Sequence, residues 1–125
     1  MQKLKKKKLF SQRIATIAGE VVSMKSYVST IDLMLKLNWL TANQLNNWMQ
    51  GKVPYLELVI SANLGKISTV MKDLKSWALY SKLKPSITIY KHKNYKLRFS
   101  KTGHPNIETA YSTHYVLLKS QEDKH

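Results

Sequence analysis

Four histidines, seven carboxylates, three tryptophans and seven tyrosines are the groups in this 125-residue chain that could do chemistry. His92, His104 and His114 would be the ligands of a zinc site. Their spacings contain no helical i, i+4 pair, and no carboxylate stands beside them as a further ligand. A hairpin-turn histidine, a turn histidine before Pro105 and a strand histidine account for them instead. Acid–base catalysis needs paired or buried carboxylates. Glu20, Asp32, Glu57 and Asp73 fall singly on separate helical stretches, and Glu122 and Asp123 lie in a polar end. Glu108, six residues before His114, could orient an imidazole, but a solvated charge beside a short helix is the simpler reading. Cysteine is absent, which removes disulfides, thiolate metal sites and Cys nucleophiles. The glycines, Gly19, Gly51, Gly65 and Gly103, are too scattered to cradle a phosphate, and no GxSxG, P-loop or GxGxxG occurs. No catalytic, metal-binding or cofactor-binding residue is assigned, and no enzyme is expected.

What remains is charge. Lys and Arg number 21 against seven acids, a formal net charge of +14, while 43% of residues are apolar. That apolar share suits a folded domain rather than a disordered polycation. Two foci hold most of the field. One is a tail of Lys3, Lys5, Lys6, Lys7 and Lys8; the other runs through Lys82, Lys84, Lys91, Lys93, Lys96, Arg98 and Lys101 without an acid. Only Arg13 and Arg98 are arginines. Ammonium groups give diffuse, salt-sensitive attraction and lack the planar fork that clamps a phosphate or reads a guanine edge.

The elements that must position these groups follow from periodicity. Phe10, Ile14, Ile17, Val21 and Met24 share one helical face, and Ser29 followed by Asp32 marks a new helix start. Thr41 and Gln44 have capping-box spacing, with Leu40 and Leu45 as the staple and Gly51 as the stop. Pro54 then opens an expected long helix striped by Leu56, Ile60, Leu64, Ile67, Met71, Leu74 and Ala78. It would reach the Lys82–Pro85 boundary, about 28 residues or roughly 42 Å. Beyond Pro85 the period becomes two. Ile87 and Ile89, then Tyr95, Leu97 and Phe99, alternate with polar residues around a His92-Lys93-Asn94 turn with an Asn suited to left-handed backbone. Ile87, Ile89, Leu97 and Phe99 would face the helices, with Tyr90, Lys96 and Arg98 outward. Ile107–Tyr111 reads as a helical turn and residues 113–118 as a third strand. The tryptophans Trp39, Trp48 and Trp77 lie near the apolar stripes and are expected mostly in the core.

The expected fold class is therefore α+β: about four helices, one of them long, with a C-terminal antiparallel hairpin or three-stranded sheet. Residues 1–8 form a basic N-terminal tail, 9–118 a single domain and 119–125 a polar C-terminal tail. The start resembles a signal-peptide n-region, but Gln12, Arg13 and Glu20 interrupt any apolar core behind it. Gln2 stands where myristoylation needs glycine, and no apolar run is long enough to span a membrane, so no integral membrane role is expected. A bacterial cytoplasmic location, or delivery to a host cell by a dedicated secretion system, is consistent with this.

Two function classes fit. In the first, a basic module docks on an acidic partner protein through Tyr90, Lys91, Lys93, Lys96 and Arg98, with Tyr90 as anchor and the cations steering association. In the second, a winged-helix-like protein binds nucleic acid with mainly sequence-tolerant phosphate contacts, and His92-Lys93-Asn94 is the wing tip. Its recognition helix would begin Pro54-Tyr55-Leu56-Glu57-Leu58-Val59, which is apolar and acidic where base-reading side chains belong. A homodimer through a spare helix face is a further expectation.

The segments VSTIDLMLKLNWLTANQLNNWMQGKVPYLELVI (28–60), LKPSITIY (83–90), LRFSKTG (97–103) and IETAYSTHYV (107–116) resemble a family of small bacterial proteins without assigned chemistry. The Lys/Asn-rich character is also similar to that of a Legionella inhibitor that binds the ubiquitin-modifying effectors MavC and MvcA directly. The resemblance implies this helix-plus-small-sheet architecture and regulation by protein docking.

Overall fold

The computed structural model describes residues 2–118, with side-chain detail from Lys8 onward. The first helix, α1, runs Gln2–Lys25. The expected basic tail thus enters the first helix, while the expected polar tail at 119–125 lies outside the described residues. Ile14, Ala18 and Val21 fall on the buried stripe of α1, but Met24, expected on it, is exposed. The strand β1, Tyr27–Ser29, follows, then α2, Thr30–Lys36, and α3, Ala42–Met49. Both sequence-marked helix starts form full capping boxes. Ser29 Oγ accepts from the Asp32 amide while Asp32 accepts from the Ser29 amide, and Thr41 and Gln44 repeat the exchange. Gly51 takes φ +75°, and an added Cβ would come within 3.0 Å of the His92 ring, so both space and backbone favour glycine there.

The expected long helix from Pro54 does not form. Leu56–Val59 is a single 3-10 turn, the chain extends at Ile60, and α4 starts only at Leu64, running to Tyr80. Asn63 is the reason: its side chain caps the Lys66 amide at 2.8 Å, so a residue inside the apolar stripe ends one element and starts the next. Leu56 and Ile60 are buried all the same, which is why the stripe seemed continuous. The longest helix is α1.

The strands also pair differently from the expected hairpin. β2, Lys84–Ile87, joins β5, Thr113–Val116, antiparallel, and β5 also pairs with β1, giving the order β1-β5-β2. The hairpin proper is only β3, Lys91–His92, with β4, Tyr95–Lys96, extended by Leu97 N–H donating to the Tyr90 carbonyl at 2.8 Å. Lys93 rather than Asn94 takes the left-handed backbone, at φ 55°. Because β2 is drawn to β5, Ile87 and Ile89 face solvent, 58% and 57% exposed, instead of the helices. Leu97 and Phe99 are buried as expected. Between β4 and β5 lies α5, Pro105–Ser112.

Among the described residues the result is an α+β fold with five α-helices, one more than expected, and antiparallel sheets of three and two strands. Ile14, Ala18, Val21, Val28, Leu33, Val70, Leu74 and Ala78 join α1, β1, α2 and α4 in one core. A second core gathers Ile31, Met34, Trp48, Leu56, Ile67, Leu97, Phe99 and Tyr111. It sits beneath the hairpin. No described helix is long and apolar enough to cross a membrane.

Candidate protein-docking site

The hairpin is held from below by aromatic rings. Trp48 is fully buried, and its indole N–H donates to the Arg98 carbonyl at 2.8 Å. Phe99 lies 4.9 Å from Trp48, 5.4 Å edge-on from Tyr90 and 5.1 Å in parallel stack on Tyr111. Trp48 therefore belongs to the second core as expected, while half-buried Trp39 packs against both cores and half-buried Trp77 against the first. Tyr90, expected as the outward anchor, is half-buried in this group, and its Oη shares a 2.7 Å hydrogen bond with His114 Nε2. Tyr95, at the hairpin tip, is the exposed aromatic instead, at 73%.

Two carboxylates fix the segment that leaves the hairpin. Glu108 accepts from the Phe99 amide at 3.0 Å, the Ser100 amide at 2.7 Å and the Ser100 hydroxyl at 2.6 Å. Glu57 accepts from the Lys101 amide at 2.9 Å and the Tyr111 hydroxyl at 2.8 Å. The 3-10 turn adds backbone bonds: Leu56 and Glu57 amides donate to the carbonyls of Arg98 and Phe99. Glu108 is thus neither a histidine partner nor a solvated charge, and Glu57 is not free to read a base. Ser100, which alternation places outward, is buried because Glu108 draws it in. No spacing rule in the sequence links Glu57 or Glu108 to residues 98–101.

Two further carboxylates are also engaged. Asp32 caps α2 and pairs with Lys25 at 2.6 Å, and Asp73 accepts from Ser11. Lys25–Asp32 is the one ion pair among the described residues. Lys91, Lys93, Lys96, Arg98 and Lys101 are all exposed and, among the described residues, face no carboxylate within bridging distance. Lys91 and Lys96 are direct cross-strand partners, an arrangement of like charges that weakens a strand pair. Arg98 differs from the lysines: its guanidinium donates to the Lys101 carbonyl at 3.1 Å and lies 5.4 Å over the Tyr55 ring. The structure therefore gathers Lys91, Lys93, Lys96 and Arg98 on one exposed rim and leaves Tyr90 out of it.

The histidines lie apart in role. His92 packs on Gly51, His104 Nδ1 accepts from the Asn106 amide, and His114 bonds Tyr90 and stacks on Tyr27 at 4.9 Å. Among the described residues no three His, Asp or Glu side chains are grouped to hold a metal.

Burial lowers the His114 pKa from its ordinary 6.5; Asp32 opposes this and Lys25 adds to it. Burial also pushes Tyr90 up to about 12, with Asp32 and Tyr27 contributing. The two shifts act at opposite ends of the pH scale. Below 6.5 the unfolded chain takes up the imidazole proton more readily than the folded one, so the stability present above 6.5 is lost as pH falls. For Tyr90, the contribution is present below pH 10 and is lost as pH rises toward about 12. Urea denaturation at about pH 7 and about pH 5 should show a lower midpoint in acid. His114→Gln should flatten that difference, and an unchanged slope would show that His114 does not set it.

Comparison with protein-family models, curated proteins and solved structures finds no match to this chain.

Proposed function

We propose that the protein is a non-enzymatic basic module that regulates or inhibits an acidic-surfaced partner protein by docking on it through the β3–β4 hairpin. The observation that carries this reading is the facing Lys91–Lys96 pair, flanked by Lys93, Arg98 and Lys101, which no carboxylate among the described residues bridges. Glu57 and Glu108 stand close by, yet they bind backbone amides and hydroxyls rather than these ammonium groups. An external carboxylate surface relieves the repulsion and speeds encounter. Tyr95, exposed at the hairpin tip across from His92, supplies the aromatic anchor.

The nucleic-acid alternative is weaker on geometry. The segment that would enter a major groove is a 3-10 turn with Leu56 buried and Glu57 turned to Tyr111 and Lys101. The one arginine on the rim is already engaged with Lys101 and Tyr55.

Pull-down from bacterial lysate, with and without nuclease and at two salt concentrations, separates the two. A stoichiometric protein should survive nuclease, and the triple variant Lys91→Glu, Lys93→Glu, Lys96→Glu should retain it at least about ten-fold more weakly. Unchanged retention by the variant removes the hairpin from the interface. Retention of nucleic acid alone, with a steep salt slope, replaces the reading by the alternative.

A further inference from the structure

A second surface lies on the other side of the three-stranded sheet. Along β5, His114 points to the face shared with Tyr27, whereas Thr113 and Tyr115 point the opposite way with Pro85 and Ile87 of β2. There α4, α5 and the outer strand β2 enclose a groove of about 750 Å³. Its apolar lining includes Met71, Leu79, Ile87 and Ile107, and Lys72 and Lys75 stand along the α4 side. Leu79 is 64% exposed and Ile107 38%, a cluster of wetted apolar surface larger than scattered single residues would make. Among the described residues the lining contains no carboxylate.

We propose that this groove receives an acidic amphipathic helix of a partner protein. This rests on the protein-docking reading above and adds a second contact to it. Three observations select the occupant. The trough is bounded lengthwise by two helices, and its α4 wall from Ser68 to Leu79 spans roughly 16 Å, about three turns of a helix laid alongside. Strand addition is disfavoured, because β2 has four residues, begins with Lys84 and lacks an N–H at Pro85. A second copy of the chain would bring its own charge of +14 against Lys72 and Lys75. Carboxylates flanking a Leu/Ile stripe complement both the lysines and the apolar floor.

The test uses synthetic peptides of about 15 residues with the full-length chain. One has leucines at helical spacing on one face and glutamates elsewhere. A second has the same composition scrambled, and a third carries lysine in place of glutamate. Fluorescence anisotropy and amide chemical-shift mapping at physiological ionic strength are the readouts. The amphipathic glutamate peptide should bind with shifts centred on Lys72, Lys75, Leu79 and Ile107, and both controls should bind at least about ten-fold more weakly. Leu79→Ser, at a side chain 64% exposed, should weaken binding by about ten-fold with little change in melting temperature, and adding Ile107→Ser should weaken it further while the circular dichroism spectrum stays that of the folded chain. The hairpin triple variant should keep binding within about three-fold, which separates failure of the groove from failure of the hairpin. Equal binding of the scrambled peptide, shifts confined to the hairpin, or no binding of the amphipathic peptide would overturn the proposal. Self-association abolished by Leu79→Ser would do the same.

Discussion

Trp48→Ala is expected to destabilise the protein by about 3–5 kcal/mol, the largest effect of any substitution beneath the hairpin. The side chain is fully buried, so its removal opens a cavity among Tyr90, Phe99 and Leu56. The Arg98 carbonyl also loses its indole donor, though the Leu56 amide still reaches it at 3.2 Å. Such a loss is a large fraction of the ~5–15 kcal/mol by which domains are stable. Urea denaturation measures it. Trp48→Phe keeps most of the ring volume and should cost about 1–2 kcal/mol. A penalty under about 1 kcal/mol for the alanine variant would mean that the aromatic group does not support the hairpin.

Glu108→Ala should cost about 2–4 kcal/mol, because it removes the acceptor of two amides and a hydroxyl at once. Ser100 is buried, so water does not readily take the carboxylate's place. Amide exchange at Phe99 and Ser100 should quicken more than at Leu74 in the other core. The binding consequence has an informative sign. The variant is more positive by one charge, so charge alone predicts tighter association with an acidic partner. Loss of the geometry that presents Lys96 and Arg98 predicts weaker association. Weakened binding with a quickened off-rate is the expected result; tighter binding would show that the total field matters and the rim's shape does not.

The parts of the fold legible in the sequence are those decided within a few residues. Ser29 with Asp32, and Thr41 with Gln44, announce helix starts because the capping partners are three apart. Gly51 stops α3 for an equally local reason. The errors arise where a distant partner decides. A stripe stepping by three and four carried Leu56 and Ile60 into the same helix as Ile67. Yet a 3-10 turn bonded to residues 98 and 99 buries Leu56 just as well. β1 has three residues and gains its identity only from β5, some 85 positions on. Alternation around residues 86–90 correctly indicates extended chain but does not say which strand it joins. At the candidate site, the outward placement of Lys96 and Arg98 was legible from alternation, whereas Lys91 and Lys93 were marked by charge alone. The exchange of Tyr90 for Tyr95 as the outward ring was not legible, since Tyr90 is drawn in by His114 and Phe99.

The strand order β1-β5-β2 bears on how the chain acquires its structure during synthesis. Tyr27–Ser29 and Lys84–Ile87 have no pairing with each other; both wait for Thr113–Val116 to slot between them. Until that stretch clears the ribosome, the nascent polypeptide exposes two short unzipped edges and the apolar underside of each. Closing a loop from residue 28 to residue 115 is slow compared with coiling the helices. Helical intermediates should accumulate first, with sheet completion as the committing event of folding.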